Sequence, residues 1–361
     1  MTEIRAEICL STRDLSGDIP FFLNMLKMRM DSIYPADNPS IATFSGHGIR
    51  VLLEQTNDTA PGLIRILTDD PDGFAGGQRA LQSPGGTRVE IDDLNPPLVL
   101  PETEHAFVVR RLADQAPWII GRAGMHYRDL VPSRLGGAMI ASHIRIPDAG
   151  PVGDMVHYHK VGFQLIFCVN GWVDVVYEDQ GDPIRLTRGS CFIQPPEIRH
   201  RVLHSGDHLE VVEIGVPADH MTEIDHLMTL PNGTGDPGRE WDGQRFVHNQ
   251  AEGAEWQPFR IPGLTARDTT ISANTKGVAG VKVYRPDGGD IPWSSHDADI
   301  HFSFVMQGNV TLEGEGKDPY RLERGDAFVI PPGMQTRLST PSEDLEVMEV
   351  TLPGEFTTRL A

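Results

Sequence analysis

"IRLTRGSCFIQPPEIRH", residues 184–200, recurs as "YRLERGDAFVIPPGMQT", residues 320–336. Gly189 matches Gly325 and Pro195 matches Pro331 at a shift of 136, and on either side Gly171 matches Gly308 at 137 and Leu209 matches Leu345 at 136. A shift that holds to one residue over roughly 45 positions is far longer than a solenoid period. The chain therefore contains a duplicated domain.

Within each copy, short runs of β-branched and aromatic residues, such as "WVDVVYE", "SCFIQ" and "LEVVEIGV", are punctuated by Gly, Pro, Asp and Asn. No helix-period segment falls between Ile140 and Val216, so each copy is predicted to be an all-β barrel or sandwich closed on itself. The turn-rich "MTLPNGTGDPGREWDGQ", residues 228–244, reads as the linker. The first hundred residues differ. "EICLST" reads as a strand, "DLSGDIPFFLNMLKM" as a helix behind an Asp14 cap, and "SIATFSG" and "IRVLLEQ" as two more strands.

The chain has 361 residues, with 31 Lys plus Arg against 51 Asp plus Glu, for a formal charge of −20. That balance disfavours duplex nucleic acid or an anionic membrane as partner. A small-molecule substrate is the expected partner. No basic leader with an apolar core opens the sequence, and no apolar run reaches the roughly 18 to 20 residues of a membrane span, so a cytoplasmic protein is expected. Three cysteines, Cys9, Cys168 and Cys191, without C-x-x-C spacing suit a reducing compartment. Cys168 and Cys191 lie in apolar runs and read as buried small hydrophobes.

The segment "HYHKVGFQLIFCVNG", residues 157–171, carries the chemistry. Residues two apart on a strand share a face, so His157 and His159 can both point into a barrel while Tyr158 points away. Gln164 returns on the next strand, and His200 follows the "QPPEIRH" turn. Three imidazoles and an oxygen donor suit one divalent transition metal per chain, with Fe(II), Mn(II), Ni(II), Cu(II) and Zn(II) all open. Three hydrogen-bonded, barrel-lining histidines are the alternative reading.

These residues resemble the cupin superfamily. Its first motif, two histidines flanking one residue, then a glutamate and a glycine, is met by His157, His159, Gln164 and Gly171, and its second by Gly189, Pro195 and His200. The resemblance implies two double-stranded β-helix (jelly-roll) barrels in a mainly β chain. The expected domains are 1–100 (a small α+β module), 101–230 (barrel one, with the metal) and 231–361 (barrel two). In copy one the ligand positions survive while scaffold positions drift: Pro151, Glu197 and His204 stand where the family has two glycines and an asparagine. Copy two keeps Gly288, Gly308, Gly325, Pro331 and Gly333, but its ligand positions read Ser294, His296, His301 and Thr336. It is expected to hold no metal.

Gln164 replaces the family's glutamate, so the ion's net charge rises from near +1 to near +2, favouring an anionic, oxygen-bearing substrate. Gln164 then either ligates weakly or orients substrate, unless it is drift. Arg145, on parity with His143, is a candidate carboxylate binder at the barrel mouth, or a surface arginine. His204 shares parity with His200 and is a candidate acid or base, or a solvated imidazole. His126, Tyr127, Arg128 and Arg134 lie in "GRAGMHYRDLVPSRLGG", a candidate lid or cap on the opening, or an ordinary ordered loop.

The N-terminal segment weakly resembles one module of the vicinal oxygen chelate (glyoxalase-like) superfamily, which would put ligand positions at Glu7 and Glu54. That family builds a site from two modules and one is visible here, so a packing or dimerisation role is favoured. Bicupin ring-cleaving dioxygenases, including the gentisate type, suggest a dioxygenase with Fe(II) favoured, acting as a homo-oligomer. A metal-dependent isomerase, lyase or hydrolase on the same site, and a non-enzymatic binding or storage bicupin, are the alternatives.

Overall fold

A computed structural model describes residues 8–34, 39–56, 60–114, 118–121, 124–236 and 238–361. The chain divides into two compact units, Met1–Pro97 and Leu98–Ala361.

In the first unit the strand Ile8–Thr12 lies parallel to Ile49–Gln55, and Ile41–Gly46 and Arg29–Tyr34 extend the sheet antiparallel. A helical segment follows the first strand because the Asp14 carboxylate accepts from the Gly17 amide at 2.9 Å, satisfying one of the free donors of the first turn. The segment is α-helical over Leu15–Pro20 and widens to a π-helical turn over Phe21–Met25. Leu15, Phe22 and Leu26 pack with Phe44, Val51 and Leu53 into one core. A second, three-stranded sheet pairs Leu63–Thr68 with Arg88–Asp93 and Ala80–Gln82. Of the two glyoxalase-like ligand positions, Glu54 is exposed on its strand and Glu7 lies outside the described residues.

The second unit contains two barrels, each made of two facing antiparallel sheets. In barrel one a seven-stranded sheet, with Ile140–Ile146, Leu209–Val216 and Phe163–Asn170 adjacent, faces a six-stranded sheet centred on Trp172–Tyr177, His200–Ser205 and His157–His159. Barrel two repeats this with seven strands against five. Alternation along Phe163–Asn170 decides its packing: Phe163, Leu165 and Phe167 face barrel two, where they meet Phe302, Phe304 and Val350. Gln164 and Ile166 take the opposite, interior face. Gly171 and Gly308 both have φ +72°, where a side chain would crowd Leu209 and Leu345 respectively.

Two edge strands cross between the barrels. Val108–Arg110 pairs with Ala327–Val329 in barrel two, and Val247–Asn249 pairs with Cys191–Ile193 in barrel one. Two buried arginines make the same exchange. Arg128 of barrel one donates to the Gly325 carbonyl of barrel two, and Arg267 of barrel two donates to the Gly189 carbonyl of barrel one. Burial pushes both guanidinium pKa values down, that of Arg128 to about 10. The segment holding His126, Tyr127, Arg128 and Arg134 supplies a sheet strand, His126–Asp129, and one of the inter-barrel clasps, while Tyr127 lines the cavity of barrel one. Arg128 itself is fully buried.

Candidate metal centre

The three-residue strand His157–His159 lies between two neighbours that complete the site. On one side His157 is directly opposite His200, and on the other His159 is opposite Thr222. Ring centroids are 4.2 Å apart for His157 and His200, 5.2 Å for His157 and His159, and 5.4 Å for His159 and His200. Potential ligand atoms of all three lie within 4.8 Å of one another, a cluster of His, Cys, Asp or Glu found nowhere else among the described residues. All three are buried.

Hydrogen bonds orient the rings. His157 Nδ1 is 2.8 Å from the Met155 carbonyl, and His200 Nδ1 is 3.0 Å from the Ile198 carbonyl. A carbonyl can only accept, so both Nδ1 atoms carry the proton and both Nε2 atoms present the lone pair that binds a cation. His159 Nδ1 meets the Thr222 hydroxyl at 2.8 Å. The backbone amide of Glu197 donates to the His159 carbonyl at 3.0 Å, tying the "QPPEIRH" turn to the strand. Glu197 does so with φ +63°, where copy two has Gly333 at +80°. This donor set fits a divalent transition metal with the chain's own nitrogens.

Gln164 is 1% exposed, and its Nε2 donates to Glu213 Oε1 at 2.7 Å. Glu213 therefore brings a carboxylate into the barrel one hydrogen bond away from the ligand position. With Glu213 beside it, Gln164 does not leave a bound ion at a local charge near +2. The bond also fixes the amide: with Nε2 committed to an acceptor, Oε1 is the atom left to meet a cation.

The interior is largely apolar. Ile144, Ile166, Val173, Val175, Phe192 and Val211 wall a cavity into which His159, His200, Glu213, Gln194 and Tyr177 also project. Gln194 Nε2 donates to the Tyr177 hydroxyl at 2.9 Å, while its buried Oε1 has no partner. Among the described residues, neither Arg nor Lys lines the cavity. Glu213, Gln194 and Tyr177 belong to no motif in the sequence. The available signal was a polar residue at an inward position of an apolar run, as in "EVVEIGV" and "CFIQ".

Two other candidates are not brought to the cavity. Ile144 and Ile146 line it, so Arg145 between them faces the opposite side, its guanidinium 4.1 Å from the Trp118 ring centre. His204 is turned out by a bulge: Val175 pairs with Val202, but Asp174 rather than Val173 pairs with His204. It is exposed and stacks on Trp172 with centroids 6.1 Å apart. Cys168 and Cys191 are buried thiols pushed up to about 12 by that burial, which suits packing rather than nucleophilic attack.

A cupin domain model matches residues 280–351, the copy that keeps the scaffold glycines. Solved structures match across both copies. Salicylate 1,2-dioxygenase from Pseudaminobacter salicylatoxidans is 15% identical with a TM-score of 0.51, covering 73% of this chain and 90% of that one. The chain has the two-barrel fold of a bicupin. The same dioxygenase as its gentisate adduct scores 0.52 at 15% identity, with 73% and 87% coverage. Oxalate decarboxylase from Lactobacillus farciminis, in a formate complex, scores 0.53 at 14% identity, with 73% and 91% coverage. No curated protein sequence matches this bicupin.

In barrel two the bicupin's matched positions hold Ser294, His296, His301 and Thr336, all buried. Glu349 stands where barrel one has Glu213, at the same shift of 136. It binds Arg260 through both oxygens, at 2.8 and 2.5 Å, and His301 Nε2 at 3.0 Å. The Gln164–Glu213 pair of barrel one thus corresponds to His301–Glu349 in barrel two, with an arginine added. Among the described residues of the bicupin, no helix is long and apolar enough to cross a membrane.

Proposed function

We propose that this bicupin is a metal-dependent enzyme, a dioxygenase acting in barrel one on a small, oxygen-bearing organic substrate. The observation that carries the reading is the His157, His159 and His200 cluster, with two rings set by carbonyls to present Nε2, at the floor of an apolar cavity. Bound there, a divalent ion supplies Lewis acidity and, as Fe(II), reactivity toward dioxygen. Gln164 offers Oε1 as a weak fourth donor, held in place by Glu213.

The cavity walls favour one kind of substrate. With no Arg or Lys among the described residues of the lining, a substrate anion finds its countercharge at the metal position, and Glu213 opposes a second negative group nearby. An enolate or phenolate oxygen at one end of a mainly apolar molecule fits best. The unpartnered Gln194 Oε1 is placed to accept from a substrate hydroxyl, and the branched walls exclude water from the reacting end.

The structural likeness extends to both a dioxygenase and a decarboxylase. Oxygen consumption separates them. Chain reconstituted anaerobically with Fe(II) is to be screened at an oxygen electrode over catechols, gentisate, β-diketones and hydroxy acids. Uptake with one compound class, lost in His159→Ala, supports the proposal. One metal per chain with no uptake on any compound moves the reading to an isomerase, lyase or hydrolase. No metal uptake at all leaves a binding protein.

A further inference from the structure

Barrel two contains a pocket in which buried polar atoms lack side-chain partners. His296 is 7% exposed, and among the described residues its ring nitrogens meet no side-chain partner, the Ile330 carbonyl being the one backbone acceptor beside them. His301, equally buried, stacks on it with centroids 4.4 Å apart, and its Nδ1 is likewise unpartnered. Leaving such groups dry is unfavourable, because a buried donor or acceptor without a partner loses its hydration. Several of them converging on one cavity mark a ligand position.

The charges decide what the ligand is not. Arg260 lies against Glu349 and 3.4 Å from His301 Nε2, so an organic cation is already docked beside the two histidines. With Ser294 and Thr336 replacing two imidazoles, a metal ion is disfavoured. An anion gains little, because Glu349 already neutralises Arg260 through two bonds. Burial also holds the His296 pKa down at about 3, so that ring is neutral at pH 7.

The remaining groups decide what the ligand is. Arg260 and His301 hold the Glu349 carboxyl well below its usual range against the effect of burial, so Glu349 accepts and His301 Nε2 carries a proton. Nδ1 of His301 is then an acceptor, while neutral His296 offers one donor and one acceptor. A hydroxyl, which both donates and accepts, satisfies this set. Phe259, Tyr284, Leu312, Phe328 and Ile330 line the rest of the pocket and suit a flat apolar body better than further water. We propose that barrel two binds a small neutral phenol, its hydroxyl on the His296–His301 stack and its ring among Phe259, Tyr284 and Phe328.

Metal-stripped full-length chain is to be titrated with 4-fluorophenol and followed by fluorine NMR. A bound resonance with Kd around 1 mM, worth about 4 kcal/mol, is expected in the wild type. It should persist in Val175→Phe, which fills barrel one, and in His296→Gln, which keeps a donor and an acceptor. It should vanish in His296→Phe. No bound resonance at about ten times that concentration means the pocket holds water only and overturns the proposal. A resonance that survives His296→Phe and is lost in Val175→Phe overturns it as well. If His296→Phe does not fold, Overhauser contacts in the wild type decide: Phe328 supports barrel two and Phe192 refutes it.

Discussion

Gln164→Glu puts a second carboxylate beside Glu213, in place of an N–H donor now 2.7 Å from Oε1. Two full charges at that separation repel by about 6 kcal/mol at an effective dielectric near 20. This is enough to lift one carboxyl from about 4.3 to roughly 9, at about 1.4 kcal/mol per pH unit. The metal-free variant should therefore keep one proton shared across the pair at neutral pH. The sign follows from linkage: the folded state binds more protons than the unfolded state between about pH 4.3 and 9, so stability falls as pH rises through that window. Urea melts of metal-free protein at several pH values should show Gln164→Glu losing up to about 1.4 kcal/mol per pH unit relative to wild type. Added metal should flatten the slope by displacing the shared proton. The exchange Gln164→Glu with Glu213→Gln restores one donor and one acceptor and should remove the slope without metal. A Gln164→Glu chain whose melts track wild type at every pH would refute the pairing, and with it the claim that Glu213 orients the amide.

Other outcomes are as direct. His159→Ala should abolish the one bound metal per chain seen by elemental analysis, whereas His296→Ala should leave it intact; equal losses would make barrel two a metal site. Arg260→Met leaves the buried Glu349 charge unpaired and should cost about 3 to 5 kcal/mol at pH 7. Because Arg260 and His301 hold the Glu349 pKa low, the wild-type pair stabilises above the unfolded carboxyl pKa and loses this as pH falls through the folded value. The Arg260→Met penalty, read from urea melts, should therefore shrink toward pH 4. Native protein should alkylate at exposed Cys9 alone, with Cys168 and Cys191 reacting only after denaturation, as thiol counting would show.

Much of this bicupin was legible in its sequence. The constant shift between copies established the duplication, and H-x-H parity placed His157 and His159 on one face because alternation along a strand is a local property. The β-branched, turn-punctuated runs likewise specified antiparallel sheets. Which strands complete which barrel was not legible. Val108–Arg110 and Val247–Asn249 cross to the opposite barrel, and an edge strand's partner depends on the docking of the two copies.

Within the site, local parity reached its limit at three residues. His204 shares nominal parity with His200, but one bulge against Trp172–Tyr177 reverses its face. Parity correctly put Arg145 on the face of His143, yet only the position of the neighbouring strands reveals that this face lies away from the cavity. Gln164 and Glu213 are 49 residues apart and meet only through the register of Phe163–Asn170 against Leu209–Val216. The sequence by itself determined the copies, the strands and the identity of the candidate ligands, since each follows from local periodicity and repetition. The tertiary structure decided where the carboxylate of barrel one lies and which polar residues face the cavity, because register, bulges and barrel closure are set by partners distant in the chain.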